Sequence, residues 1–258
     1  MSWWEPPLAT SFSFTRTDWS HSAPLRTRTW GWQCAIGIRS SERVRSSSLR
    51  GRLRPTVLPI AFGFGDCRVD IIPFGGVERR DRNIAWPPEG DEVMNVSGFA
   101  EALATAISVR LPGGVPVDVA SLPAMALLKT WAWQDRKYTA PGKDAADLWE
   151  FLRYYGDAGN QDRLYGSEGE AALASFEFDV EKAGAWLLGR DACEVLSHGP
   201  GPRTALDALD VILRRETDPD GSLHLVAQMP GGNRDRQISL LAAFRVGLLE
   251  EPLPDSRA

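Results

Sequence analysis

The sequence predicts an α+β fold, and three observations carry that prediction. Phe62 to Phe74 (FGFGDCRVDIIPF) reads as strand, turn, strand. From residue 98 onward, apolar residues recur at three- and four-residue spacing in one stretch after another. The run SLPAMALLKTWAWQDR opens with a serine ahead of its apolar positions and a proline in the first turn, the signature of a helix start. Strands therefore lead and helices follow.

Each element has its own local reason. Gly65-Asp66 separates the two β-rich runs, and Pro73 ends the second or sets it at an edge. Gly75-Gly76 breaks it, and VERRDRNIAWPPEGDE is a polar loop or short hairpin. Residues 98–110 predict a helix, with Phe99, Leu103, Ala106 and Val109 at helical spacing. VPVDVAS (115–121) predicts a short strand, and Ser121 caps a helix over about 122–137. Ala124, Leu127, Leu128 and Trp131 form its apolar face, while Met125, Lys129, Trp133 and Arg136 share another side. After YTAPG comes the helix KDAADLWEFLRYYGDAG, with Asp144 and Asp147 one turn apart and Leu148, Phe151, Leu152 and Tyr155 facing a core. Further helices are expected at 169–176, 180–189, 203–215 and 235–249, and SLHLVAQM (222–229) reads as a strand.

Composition narrows the function classes. The 258 residues are 43% hydrophobic and 24% charged, which is globular, and the net charge of −5 gives no general pull toward nucleic acid or a membrane. No apolar run reaches the length of a bilayer-crossing helix. Cys34, Cys67 and Cys193 are far apart, form no Cys-x-x-Cys pair, and have only three histidines beside them, which argues against zinc. Reduced thiols in a cytoplasmic protein are the plain expectation. The opening differs from the rest: residues 1–57 hold nine arginines, no lysine and three acids, a net of +6, together with five of the ten tryptophans and ten serines.

One residue in the orderly part asks for an explanation. Asp70 sits at the centre of the apolar run CRVDIIPF, where an unpartnered buried carboxylate would be costly. It stands in solvent at a strand end, pairs with a cation, or holds a metal. Taken singly, the other charged residues have ordinary explanations. Lys129 and Arg136 suit a solvated helix face, and Asp144 near a helix start complements the macrodipole.

Taken together and in order, RVDIIPFGGVE, SLPAMALLKTWAWQDR and KDAADLWEFLRYY resemble the AbiEii-type nucleotidyltransferase toxins, a family of the DNA polymerase β-like superfamily. The resemblance covers about residues 58–195. It implies a nucleotidyltransferase-like mixed sheet flanked by helices, with a mainly helical C-terminal part. In domain terms, 58–120 complete the catalytic core, 121–258 form the mainly helical part, and 1–57 are an aberrant, poorly ordered or incomplete beginning of the core. It also implies transfer of a nucleoside monophosphate from an NTP to a hydroxyl on tRNA or protein, by the toxin of a toxin–antitoxin pair with a cognate antitoxin as partner. Two Mg²⁺ ions would be held by three carboxylates. Asp70 matches the third of these and is the implied metal ligand. Lys129, Arg136 and Lys143 are the implied NTP contacts, and Asp144 orients a lysine or takes part in catalysis beside Asp70 and Lys129.

The match is incomplete. No Asp-x-Asp and no Gly-Ser turn precede Asp70, and one carboxylate cannot hold two ions. The codon junctions of RTRTWGWQCAIGIRS, read one base out of phase, permit Asp-Ala-Asp-Leu-Gly-Leu-Ala-Val-Arg-Asp-Trp-Asp, the strand such a family would carry there. The composition of 1–57 suits a frameshift in GC-rich coding sequence. The competing expectation is a catalytically inactive homologue acting as a binding module.

Overall fold

The helical half of the chain packs its segments around a shared apolar core, and Ser121 and Asp179 cap the starts of two of them. In the computed structural model, residues 72–85, 93–111, 114 and 116–250 are described in full. Strand residues 36–39, 54–55, 61–64 and 67–71 are described as backbone. Apart from its residues 36–39, the stretch RTRTWGWQCAIGIRS (26–40), where the Asp-x-Asp was sought, lies outside the described residues, as does most of 1–57.

The strands in order are β1 (Ile36–Arg39), β2 (Arg54–Pro55), β3 (Ala61–Phe64), β4 (Cys67–Phe74), β5 (Asn83–Ala85) and β6 (Val93–Asn95). Helix α1 (Phe99–Ala104) precedes β7 (Ile107–Arg110) and β8 (Pro116–Val119). The remaining helices are α2 (Leu122–Arg136), α3 (Lys143–Tyr154), α4 (Gln161–Leu164), α5 (Glu170–Ser175), α6 (Val180–Ser197), α7 (Pro202–Thr217), α8 (His224–Gln228) and α9 (Arg234–Glu250). The architecture is mixed α+β, as the strand-then-helix order predicted.

Contacts divide the chain into two units, residues 1–38 with 42–72, and residues 39–41 with 73–258. The first contains a four-stranded sheet in the order β1-β4-β3-β2. The expected strand-turn-strand is there as the antiparallel β3–β4 hairpin, in which Asp70 is opposite Ala61 and Val69 is opposite Phe62. The second unit begins with two separate antiparallel hairpins, β5–β6 and β7–β8. Arg82, just before β5, grips Glu101 of α1 with its two terminal guanidinium nitrogens at 3.2 and 3.1 Å. Glu101 is 1% exposed, so this two-point contact neutralises a carboxylate that would otherwise be stranded.

The core of the second unit lies among α2, α3, α6 and α9. Leu127, Leu148, Leu152, Leu187, Leu188, Leu240 and Phe244 are all fully enclosed in it. Two glycines let α6 and α9 approach closely. A methyl group on Gly189 would lie 2.1 Å from the Phe244 carbonyl oxygen, and one on Gly247 would lie 2.0 Å from that of Trp186. Such contacts are far inside van der Waals range, so any side chain there would drive the helices apart. The predicted cap is present, with the Ser121 hydroxyl accepting from the Ala124 N–H at 3.4 Å and Pro123 in the first turn. Asp179 caps α6 in the same way, accepting from Lys182 N–H at 3.1 Å.

Four expectations are corrected. Residues 98–110 are not one helix: α1 stops at Ala104 and the chain turns into β7, where β-branched Ile107 and Val109 favour extended backbone. Residues 222–229 hold helix α8 and not a strand. Its start is secured from afar, since the buried Glu216 accepts the Leu225 N–H at 2.8 Å and the Ser222 hydroxyl. The helix expected at 180–189 runs on to Ser197, because Gly189 marks a close helix crossing and not an end. Trp133, placed on the cationic side of α2, is 2% exposed, so that side too packs inside the protein along part of its length.

Candidate functional site

Lys129 and Arg136 are two helical turns apart, which puts them on one side of α2. Gly142, at a φ of 81° that strains other residues, turns the chain into α3 and brings Asp144 to that side in its first turn. Asp144 is 1% exposed. It accepts Arg136 Nε at 2.6 Å on Oδ2 and Arg136 Nη2 at 2.7 Å on Oδ1. Lys129 Nζ donates to the same Oδ1 at 3.4 Å. One turn further along α3, Asp147 Oδ2 makes a close ion pair with Lys129 Nζ.

The four side chains form a charge-balanced group with a clear inside and outside. Asp144 is the floor. Lys129 is 17% exposed, and Asp147 and Arg136 open to solvent at 32% and 40%. A carboxylate this enclosed is tolerable only when paired and hydrogen-bonded, and the two-point contact with Arg136 meets both conditions. The same hydrogen bonds hold the Arg136 guanidinium above its usual pKa, against the opposing effect of its own partial burial. Lys129 has its strongest remaining partner in Asp147, at the rim.

A second set of contacts fixes the turn between the helices. The Gln228 side-chain oxygen accepts Trp133 Nε1 at 2.9 Å and the Gly142 N–H at 3.2 Å. Its amide nitrogen donates to the Lys137 carbonyl at 3.0 Å. One glutamine thus pins both sides of the YTAPG loop from α8. Sequence reasoning missed it because α8 reads as a strand and Gln228 is far along the chain; no local signal marks it. Lys137 Nζ sits 5.0 Å from the Trp133 ring centre, which adds a cation–π contact on the outer edge.

The residues singled out in the sequence are therefore distributed as follows. Lys129, Arg136 and Asp144 converge, with Asp147 as a fourth member. Lys143 is the first residue of α3 and is exposed. Asp70 lies within β4, and its side chain is outside the described residues.

The second unit carries another charge group of different design. Arg163 contacts Asp191 through two nitrogens at 2.7 and 2.8 Å and Glu168 through two at 2.9 and 2.8 Å. The Tyr155 hydroxyl donates to Asp191. Burial and this contact push the Tyr155 phenol well above its usual range. Arg163 is the hub here, where Asp144 is the hub of the first group.

Magnesium needs several free oxygen ligands. Asp144 and Asp147 are each already engaged by cations, so this group does not fit a metal cradle. Among the described residues no group of three or more His, Cys, Asp and Glu side chains is placed to hold a metal ion. No helix among them is long and apolar enough to cross a membrane. Comparison with protein-family models, with curated proteins and with solved structures finds no match for this chain.

Proposed function

We propose that the chain is a nucleotidyltransferase-type protein that binds an NTP and directs its nucleoside monophosphate to a hydroxyl on tRNA or protein, as the toxin of a toxin–antitoxin pair. The observation that supports this reading is the convergence of Lys129, Arg136 and Asp144. The motif resemblance names these residues from stretches 15 positions apart, and they meet within hydrogen-bonding distance. In this reading Lys129 contacts the triphosphate, with Arg136 and Lys143 as further cations nearby in the sequence, and Asp144 holds Lys129 in place. Asp70 is the one carboxylate assigned to Mg²⁺. The carboxylates of the Asp144 group are taken up by their own cations, which leaves them unsuited to the ion.

The second reading is an inactive homologue that binds nucleotide without transferring it, in the cytoplasm and with a cognate antitoxin as partner. The absence of an Asp-x-Asp before Asp70 favours it. The two readings separate in one assay, in which the full chain is incubated with Mg²⁺, an α-phosphate-labelled NTP, and tRNA or protein acceptors. Label in the acceptor that is lost in Lys129→Ala and Asp70→Ala supports the transferase. NTP binding without any transfer supports the inactive homologue. Transfer that survives both substitutions refutes the site assignment.

A further inference from the structure

Resting on the reading of Lys129 as a phosphate contact, the geometry of its partners points to a second feature. We propose that Asp147 is a built-in counter-anion that occupies the phosphate-binding position of Lys129 and is displaced when a polyphosphate arrives.

The two carboxylates around Lys129 are not equivalent. Asp144 is enclosed, and both of its oxygens are taken by Arg136, so its bond to Lys129 is the longer one at 3.4 Å. Asp147 makes the closer contact with Lys129 and is also the more exposed, at 32%. An anion approaching from solvent therefore meets Asp147 first and competes with it for the same ammonium group. Asp147 can give way cheaply, because a carboxylate that turns into water recovers its hydration. Asp144 cannot, because its enclosed carboxylate has no path to water and would lose its two-point contact with Arg136. Asp144 is thus a fixed positioning residue and Asp147 a removable plug. The arrangement holds Lys129 in place before the ligand arrives and balances the charges of the free site.

The consequence runs against ordinary intuition about an ion-pair partner. Removing the charge of Asp147 should strengthen anion binding, where removing that of Asp144 should weaken it. The test is calorimetric titration of the full chain with inorganic tripolyphosphate, and in parallel with ATP, in buffer containing EDTA. Asp147→Asn is expected to bind tripolyphosphate roughly 1.5- to fivefold more tightly than the parent chain, the range expected of one partly exposed ion pair. Asp147→Glu, which restores the charge, should return toward the parent value. Asp207→Asn, which makes the same net-charge change on the exposed outer side of α7, should leave affinity unchanged. Thermal melts of each variant show that the fold is retained. Unchanged or weaker binding by Asp147→Asn overturns the proposal, as does equal tightening by Asp207→Asn. If ATP binds but Asp147→Asn is indifferent, the plug fails and the proposed function stands. If neither tripolyphosphate nor ATP binds any variant, both fail.

Discussion

Two charge groups of the helical unit use the same chemistry to opposite ends. Around Arg163, one guanidinium serves two carboxylates, and a tyrosine hydroxyl adds a further hydrogen bond. Around Asp144, one buried carboxylate serves two cations. An arginine hub spreads its five donors over partners that are partly solvated, so losing any one partner leaves the rest in place. A carboxylate hub under two cations concentrates the dependence on a single enclosed residue. It also leaves an ammonium group near the surface whose other partner is exposed, which is an arrangement a ligand can enter. The first is a staple, and the second is a staple to which the proposed phosphate contact belongs.

Breaking the hubs should show the difference most plainly. Asp144→Ala is expected to cost about 3 kcal/mol, at the low end for a broken buried pair because Arg136 can turn to water. A lowered urea midpoint with an unchanged slope would check this. Asp191→Ala should cost less, about 1–2 kcal/mol, because Arg163 keeps Glu168 and is itself 37% exposed. Equal losses at the two sites would erase the distinction.

Tyr155→Phe should cost about 1 kcal/mol at neutral pH, the usual value of one hydrogen bond. Its alkaline behaviour is more telling. The folded chain holds the Tyr155 proton above the value of an unfolded tyrosine, near pH 10. Its contribution is therefore complete below about pH 10 and is lost as the pH rises further. Ultraviolet titration at alkaline pH should show one phenol that ionises only as the fold is lost, and that component should vanish in Tyr155→Phe.

The smallest effect is expected at acid pH. The hydrogen bonds from Arg163 hold Glu168 below its ordinary value, and those from Arg236 do the same for Asp179. Both groups then contribute stability that is present at neutral pH and declines as the pH falls below the usual carboxylate range, about 4. Glu168→Gln should flatten that acid decline slightly, and melting curves between neutral pH and about pH 3 would detect it.

What could be read in advance followed local chemistry. Ser121 with Pro123, the apolar spacing of Leu127, Leu128 and Trp131, and that of Leu148 and Leu152 marked α2 and α3 closely. The β3–β4 hairpin was legible from Gly65-Asp66 and its flanking β-formers. The errors came where a distant residue decided the outcome. HLVAQ has the look of a strand, and it becomes α8 because Glu216 accepts the Leu225 N–H. The helix expected over 180–189 runs past Gly189, and α9 explains that glycine, since only a residue without a side chain allows so close a crossing. Asp144 read naturally as a complement to the helix dipole. Only the packing of α2 against α3 reveals it as a buried hub, since nothing in the local sequence says that Arg136 and Lys129 will both lie over it.

In the proposed function Lys129, held by Asp144, is where this chain meets a nucleotide phosphate. Equilibrium binding of each of the four labelled NTPs to the full chain, with Lys129→Ala beside Lys182→Ala as a lysine remote from the group in sequence, tests it most directly. At least one NTP should bind the parent chain and Lys182→Ala alike, with affinity for Lys129→Ala reduced about tenfold or more, as expected when a hydrogen bond to a charged group is removed. Undiminished binding by a folded Lys129→Ala would contradict it.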